Sequence, residues 1–206
     1  MVKFDSSWNS ILHLDIFHKI VDSIKESIPP KSKLLIPFSY FKLNQLKVVI
    51  LGEEPYPNSE LSNGLAFSVN KDTKIPQSLM NIFKEINIEY NNKYKFINGD
   101  LSKWSSREKI LLLNTSLTFS HNDSHKKYWR KYTDLVIKEI SDNSSGVCFV
   151  LMGNHAKSKK HLINSSRNHC ILECIHPSPN SASRGFFGSN IFKQIEKCVG
   201  DINWQN

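Results

Sequence analysis

The 206-residue chain holds only four cysteines, Cys148, Cys170, Cys174 and Cys198, and no two stand at Cys-x-x-Cys or zinc-ligand spacing. That argues against a zinc ribbon and a dithiol redox motif. Cys148 and Cys170 lie in or beside apolar runs, so all four read as reduced packing residues of a cytoplasmic protein. No apolar run approaches the ~20 residues of a membrane-spanning helix, and the N-terminus has no signal-peptide pattern. A soluble protein with no membrane partner is expected. Internal repeats and Pro/Gly/Ser-rich linkers are missing too, so residues 1–206 read as one domain, long enough for a full core and expected to be a monomer. Acidic residues are the scarcer sign: Asp+Glu 19 against Lys+Arg 27, a formal net charge of +8. That balance favours an anionic partner.

What is present is organised around one stretch. Residues 47–51 are a β-branched apolar run of strand length, followed by Gly52-Glu-Glu-Pro-Tyr-Pro57. Pro55 and Pro57 fix φ and remove donors, and Glu54 is pushed toward extended backbone by the proline after it. A buried strand therefore ends abruptly and presents two carboxylates and a phenol at its C-terminal lip. Before it, helical spacing runs from Asn9 to Ile28 and stops at Pro29-Pro30. Residues 31–46 read as loop and short helix.

After it, residues 64–69 form a second short apolar piece. A helix opens at Pro76, Gln77 and Ser78, and Ser78 could either cap it or offer its hydroxyl to an anion. Residues 87–100 read as an exposed loop. Residues 110–113 are a second strand, 129–140 a helix, and 147–152 a third strand followed by Gly153, Asn154 and a lysine-rich helix. Residues 170–175 are a fourth strand closed by His176, and residues 192–199 a last helix. Strands alternating with helices predict a three-layer α/β/α sandwich with a central four-stranded, largely parallel sheet. The strands end in Glu54, Asn114, Gly153 and His176, which a parallel sheet lines up along one edge as a single cleft.

These residues carry a resemblance. The chain resembles family 1 uracil-DNA glycosylases nearly end to end. Gly52–Pro57 is similar to the family's Gly-Gln-Asp-Pro-Tyr-His, and Gly64–Val69 matches its Gly-Leu-Ala-Phe-Ser-Val. Ile75–Leu79 resembles its Ser-bearing proline loop, and Leu112–Thr115 its Leu-Leu-Asn-Thr. Gly153-Asn154 stands for its Gly-Ser, and His176–Ser181 for its His-Pro-Ser-Pro-Leu-Ser, with Arg184 following. Taken singly, Phe67 would be core, Asn114 a turn residue and His176 a strand-end cap; six motifs in the family's order outweigh those readings.

The resemblance implies that a uracil leaves the DNA stack for a pocket. There Phe67 stacks on the base, Asn114 reads its edge, Tyr56 blocks a thymine methyl, and His176 donates to a uracil oxygen as charge builds there. Glu53 stands where the family holds the base and loop, and Glu54 where its water-orienting carboxylate stands. Ser78, Gly153, Asn154, Ser178, Asn180, Ser181 and Arg184 fall on the DNA-binding loops. DNA-mimicking inhibitor proteins, which enclose the family's wedge leucine, are implied as partners, and no metal or cofactor is implied.

Four positions depart from the pattern: Glu53 for Gln, Glu54 for Asp, Pro57 for His and Asn180 for the wedge Leu. Glu54 displaces its charge by about 1 Å, a misplacement that can cost about 100-fold in rate. Glu53 adds a second like charge, expected to raise one carboxyl pKa and to oppose phosphate approach. Asn180 is a poorer apolar wedge. The expectation is a glycosylase fold with weak or lost uracil excision, acting through DNA or protein binding and holding an inhibitor protein more weakly. The alternative is an active monofunctional enzyme of base excision repair in which Glu54 orients the water.

Overall fold

The computed structural model describes residues 2–206. Four five-residue strands form the centre: β1 (Val48–Gly52), β2 (Ile110–Asn114), β3 (Cys148–Met152) and β4 (Cys170–Cys174). They pair in the order β2-β1-β3-β4, every pair parallel. Residues of β1, β2 and β3 are buried throughout, which is why those strands read as unbroken apolar runs rather than as alternating ones.

Successive side chains still point to opposite faces. Val49, Leu51, Leu111, Leu113, Phe149 and Leu151 pack on one face under α1 (Asn9–Leu12), α2 (Leu14–Ser23) and α5 (Lys126–Asn143). Val48, Ile50, Ile110, Leu112, Cys148 and Val150 pack on the other, under α3 (Gln77–Glu89), α4 (Ser102–Ser106) and α7 (Ile191–Val199). A one-turn helix, α6 (Asn154–Lys157), follows β3. The three layers are those the sequence predicts. Among the described residues, no helix is long and apolar enough to cross a membrane.

Four local expectations are corrected. The segment predicted as one helix over 9–28 is broken at His13, whose φ of 41° is left-handed, and ends at Ser23. A left-handed residue cannot propagate a right-handed helix. The loop after α3 is not wholly exposed: Tyr94 is buried, and Phe96 stacks on Phe83 with centroids 3.9 Å apart. The short helix α4 was not foreseen, because five residues around one buried Trp104 carry no readable period. The cysteines are not all reduced: Cys170 and Cys198 form a disulfide. The start of β4 and the end of α7 meet with Cα atoms 6.2 Å apart, a proximity made by the fold across 28 residues of chain. Cys148 and Cys174 are free and buried.

The loop after β4 is held to α3 by two buried carboxylates. Glu85 accepts from the backbone N–H of Gly188 (2.8 Å) and Asn190 (3.1 Å), and Glu89 from Phe192 (3.2 Å) and Lys193 (2.7 Å) at the start of α7. They satisfy donors that a helix start leaves open. Burial pushes the Glu89 carboxyl up to about 7, against the pull of the Lys193 and Phe192 amides, and neighbouring Glu85 adds to the rise. A carboxyl raised in the folded state binds its proton more tightly there than in the unfolded chain. Its contribution is therefore fully present below the unfolded value of about 4.3 and is lost as pH rises through 7. Denaturant unfolding of Glu89→Gln between pH 5 and 8 should accordingly show a smaller decline of stability with pH than the parent chain.

Candidate active site

The C-terminal ends of β1, β2 and β4 and the loops leaving them enclose a cavity of about 190 Å³. It is lined by Gly52, Glu53, Glu54, Tyr56, Phe67, Ser78, Asn114 and His176. Its location fits the rule that ligands of open parallel sheets bind beyond the strand C-termini, where the strand order reverses between β1 and β3. It is smaller than a drug-sized site and suits a single planar ring.

Each wall has a local cause. Gly52 and Asn114 are register partners at the ends of β1 and β2. A Cβ on Gly52 would stand 2.3 Å from Asn114 Oδ1, so the missing side chain is what lets Asn114 lie across the strand end, buried. Phe67 has a φ of 63°, an outlier for a bulky residue and of the kind that clusters at ligand sites. The Tyr56 hydroxyl donates to the Phe67 carbonyl at 3.1 Å and ties the two rings' backbones together.

His176 lies 5.9 Å from the Phe67 ring, centroid to centroid. Gly153 makes room for it: a Cβ there would approach His176 Cβ to 2.7 Å, on a backbone with φ of +87°. The Ser178 N–H donates to His176 Nδ1 at 3.0 Å. The ring proton is thus on Nε2. Burial holds the imidazole below its ordinary pKa, with the charge of Glu53 pulling the other way. His176 is a neutral donor rather than a cation.

The acidic turn corrects the electrostatic expectation. Lys126, the first residue of α5, places its Nζ 2.6 Å from Glu53 Oε1 and 3.5 Å from Glu54 Oε2. Burial alone would raise the Glu53 carboxyl. The Lys126 ammonium, through its hydrogen bond and its charge, outweighs burial and holds it below the usual carboxylate range. Glu53 is thus ionised and paired, and its charge does not stand unopposed in the cleft. Lys126 was missed in the sequence. Its signal was there: two lysines open α5, where the helix dipole disfavours cations.

The loop residues divide into two groups. Ser78 is the second residue of α3 and lines the cavity. Ser178 and Ser181 share a hydroxyl–hydroxyl bond of 2.7 Å, and Ser181 Oγ donates to the His176 carbonyl at 2.8 Å, bracing the histidine from behind. Asn154, Asn180 and Arg184 are exposed on the loops beyond β3 and β4. Pro57 is exposed as well. Among the described residues, the group able to hold a metal ion is Cys148, Cys170 and Cys198, at the opposite end of the strands, and two of these are joined as the disulfide.

The uracil DNA glycosylase superfamily's sequence model matches residues 38–199, which spans all four strands and every cavity-lining residue. The chain belongs to this superfamily. It is 45% identical to the uracil-DNA glycosylase of Borrelia hermsii, over 98% of this chain and 96% of that protein. It is 40% identical to the uracil-DNA glycosylase of Fusobacterium nucleatum, over 100% of this chain and 97% of that protein. Its fold superimposes on the crystal structure of mimivirus uracil-DNA glycosylase with a TM-score of 0.78 at 24% identity, covering 88% of this chain and 72% of that one.

The cavity rests on the Gly52–Asn114 contact. Gly52→Ala should therefore displace the Asn114 amide and lower stability by about 1–3 kcal/mol through overpacking. Thermal unfolding and a crystal structure of the variant check both.

Proposed function

We propose that the chain is an active, monofunctional uracil-DNA glycosylase of base excision repair that uses Glu54 as its water-orienting carboxylate. The supporting observation is the cavity itself: an acidic turn with its extra charge neutralised faces a neutral histidine donor across a ring-sized space. The substitutions that argue for lost activity weigh less once Lys126 is seen to pair with both carboxylates.

In this reading a deoxyuridine swings out of the stack, and its base enters the cavity, stacked on Phe67 with one oxygen towards His176. Asn114 offers its amide to the base edge, and Tyr56 closes the side where thymine carries a methyl group. The bond between sugar C1′ and base N1 breaks with its electron pair leaving on the uracil. Negative charge grows on a uracil oxygen, and the Nε2–H of His176 meets it; a neutral donor fixed in place serves an oxyanion without first being desolvated. Glu54 stabilises the cationic sugar and takes a proton from the water whose oxygen bonds to C1′. Ser78, Gly153, Asn154, Ser178, Ser181 and Arg184 line the path of the DNA backbone, and the net positive charge favours its approach. Asn180 occupies the wedge position and fills the gap with less apolar volume than leucine.

Three outcomes are expected. The parent chain releases uracil from a single-uracil oligonucleotide, Glu54→Ala loses about 100-fold or more, and His176→Ala about 100- to 1,000-fold. A parent chain silent in this assay overturns the proposal. The acid limb of the pH–rate profile lies below about 6.5, since burial lowers the pKa of His176 and its protonation would break the Ser178 bond. A variant of the mimivirus protein is solved in complex with UGI. Exposed Asn180 should make the present chain a weaker partner, and Asn180→Leu should tighten UGI binding about tenfold or more in a calorimetric titration.

A further inference from the structure

We infer that Lys126 is a positioning residue of this site: its ammonium clamps Glu53 and Glu54 and sets the charge and direction of the acidic turn. The inference rests on the excision reading above and deepens it.

Lys126 sits on a rigid platform. The preceding His125 is buried, its Nδ1 2.8 Å from Thr118 Oγ1, and Trp129 Nε1 donates to the same hydroxyl at 2.6 Å. Thr133 Oγ1 donates to the Thr115 carbonyl at 2.7 Å, and the Thr115 N–H donates to the carbonyl of Gly52 at 3.0 Å. Thr115 Oγ1 donates to the Glu53 carbonyl at 3.0 Å, and the Ser116 N–H donates to the same carbonyl at 2.8 Å. The start of α5 and the acidic turn are therefore linked through the end of β2, and Lys126 reaches the carboxylates from a fixed direction.

Its location goes against local preference. A cation in the first turn of a helix faces the positive end of the dipole. The second lysine there, Lys127, is relieved by Asp123 at 2.8 Å on its own segment. Lys126 is relieved by groups 73 and 72 residues earlier in the chain. A residue that breaks a local rule and is repaired only by the cleft marks a functional constraint.

Charge bookkeeping explains what it does. Glu53 and Glu54 bring two negative charges to a cleft that must admit a polyanion; Lys126 returns the total to one. It bonds Glu53 at the closer distance and leaves Glu54 with a looser contact, free to hold water. With Lys126 removed, the two carboxylates face each other unscreened, and the turn loses the cation that fixes their rotamers.

The test is a double-mutant cycle on Lys126→Ala and Glu53→Gln, with Lys126→Arg as the conservative variant. Uracil release is followed as kcat, KM and pH profile on a single-uracil oligonucleotide. Lys126→Ala is expected to lower kcat about 10- to 100-fold while leaving the His176-set acid limb in place. In the Glu53→Gln background the same substitution should cost several-fold less, and Lys126→Arg should keep most of the rate. Equal losses in both backgrounds overturn the clamp. So does a loss confined to KM, which would make Lys126 a DNA contact only. NMR titration of the Glu53 carboxyl provides a readout free of catalysis: its midpoint should rise in Lys126→Ala, and an unmoved midpoint overturns the clamp. If the parent chain proves silent, the excision reading fails, and this titration alone decides the clamp.

Discussion

Parallel pairing in register is the constraint on which everything else depends. Because β2, β1, β3 and β4 all run the same way, their C-terminal ends form one edge, from which Glu53, Glu54, Asn114 and His176 hang. The register is tight enough to make contacts rather than mere proximity. Gly52 faces Asn114 so closely that only a glycine fits, and Gly153 stands against His176 in the same manner. A slip of one residue would part Gly52 from Asn114 and turn every side chain of the strand to the opposite face of the sheet.

From that edge the chemistry follows by arrangement of ordinary groups. His176 is a neutral donor because a backbone N–H occupies its other nitrogen and burial disfavours its cation. Phe67 is fixed in an unfavourable φ with its carbonyl bonded to the Tyr56 hydroxyl. The serines after His176 spend their hydroxyls on one another and on its carbonyl. Buried Glu85 and Glu89 then fasten the far end of the same loop to α3. The loop that carries His176, Asn180 and Arg184 is anchored at both ends and also midway by buried Ala182 and Phe186, with Asn180 and Arg184 exposed.

The acidic turn shows why a substitution is hard to judge by itself. Glu53 and Glu54 read as two like charges crowded into a cleft meant for phosphate. In the fold they are one side of a three-membered ion cluster, and the cation comes from a helix on the other side of the sheet. Family membership, supported by matches over nearly the whole chain, is consistent with a cleft that has been rebalanced.

Much was determined by the sequence alone, because it depended on local rules. Apolar runs ended by Gly, Pro or polar residues located all four strands to within a residue or so, and helical spacing located α3, α5 and α7. The same runs placed Glu54, Asn114, Gly153 and His176 on one edge, and all eight residues lining the cavity fall in the motifs read from the sequence. Only tertiary structure could decide what depends on distance through space. The Cys170–Cys198 pairing, the break at His13, the burial of Tyr94 and the clamp of Lys126 arise where segments remote in sequence, or strained locally, are brought to within a few ångströms. Periodicity reports which face of a segment is buried; it holds no record of what the other wall contributes. The neutral tautomer of His176 and the ionised pair of Glu53 are properties of those walls.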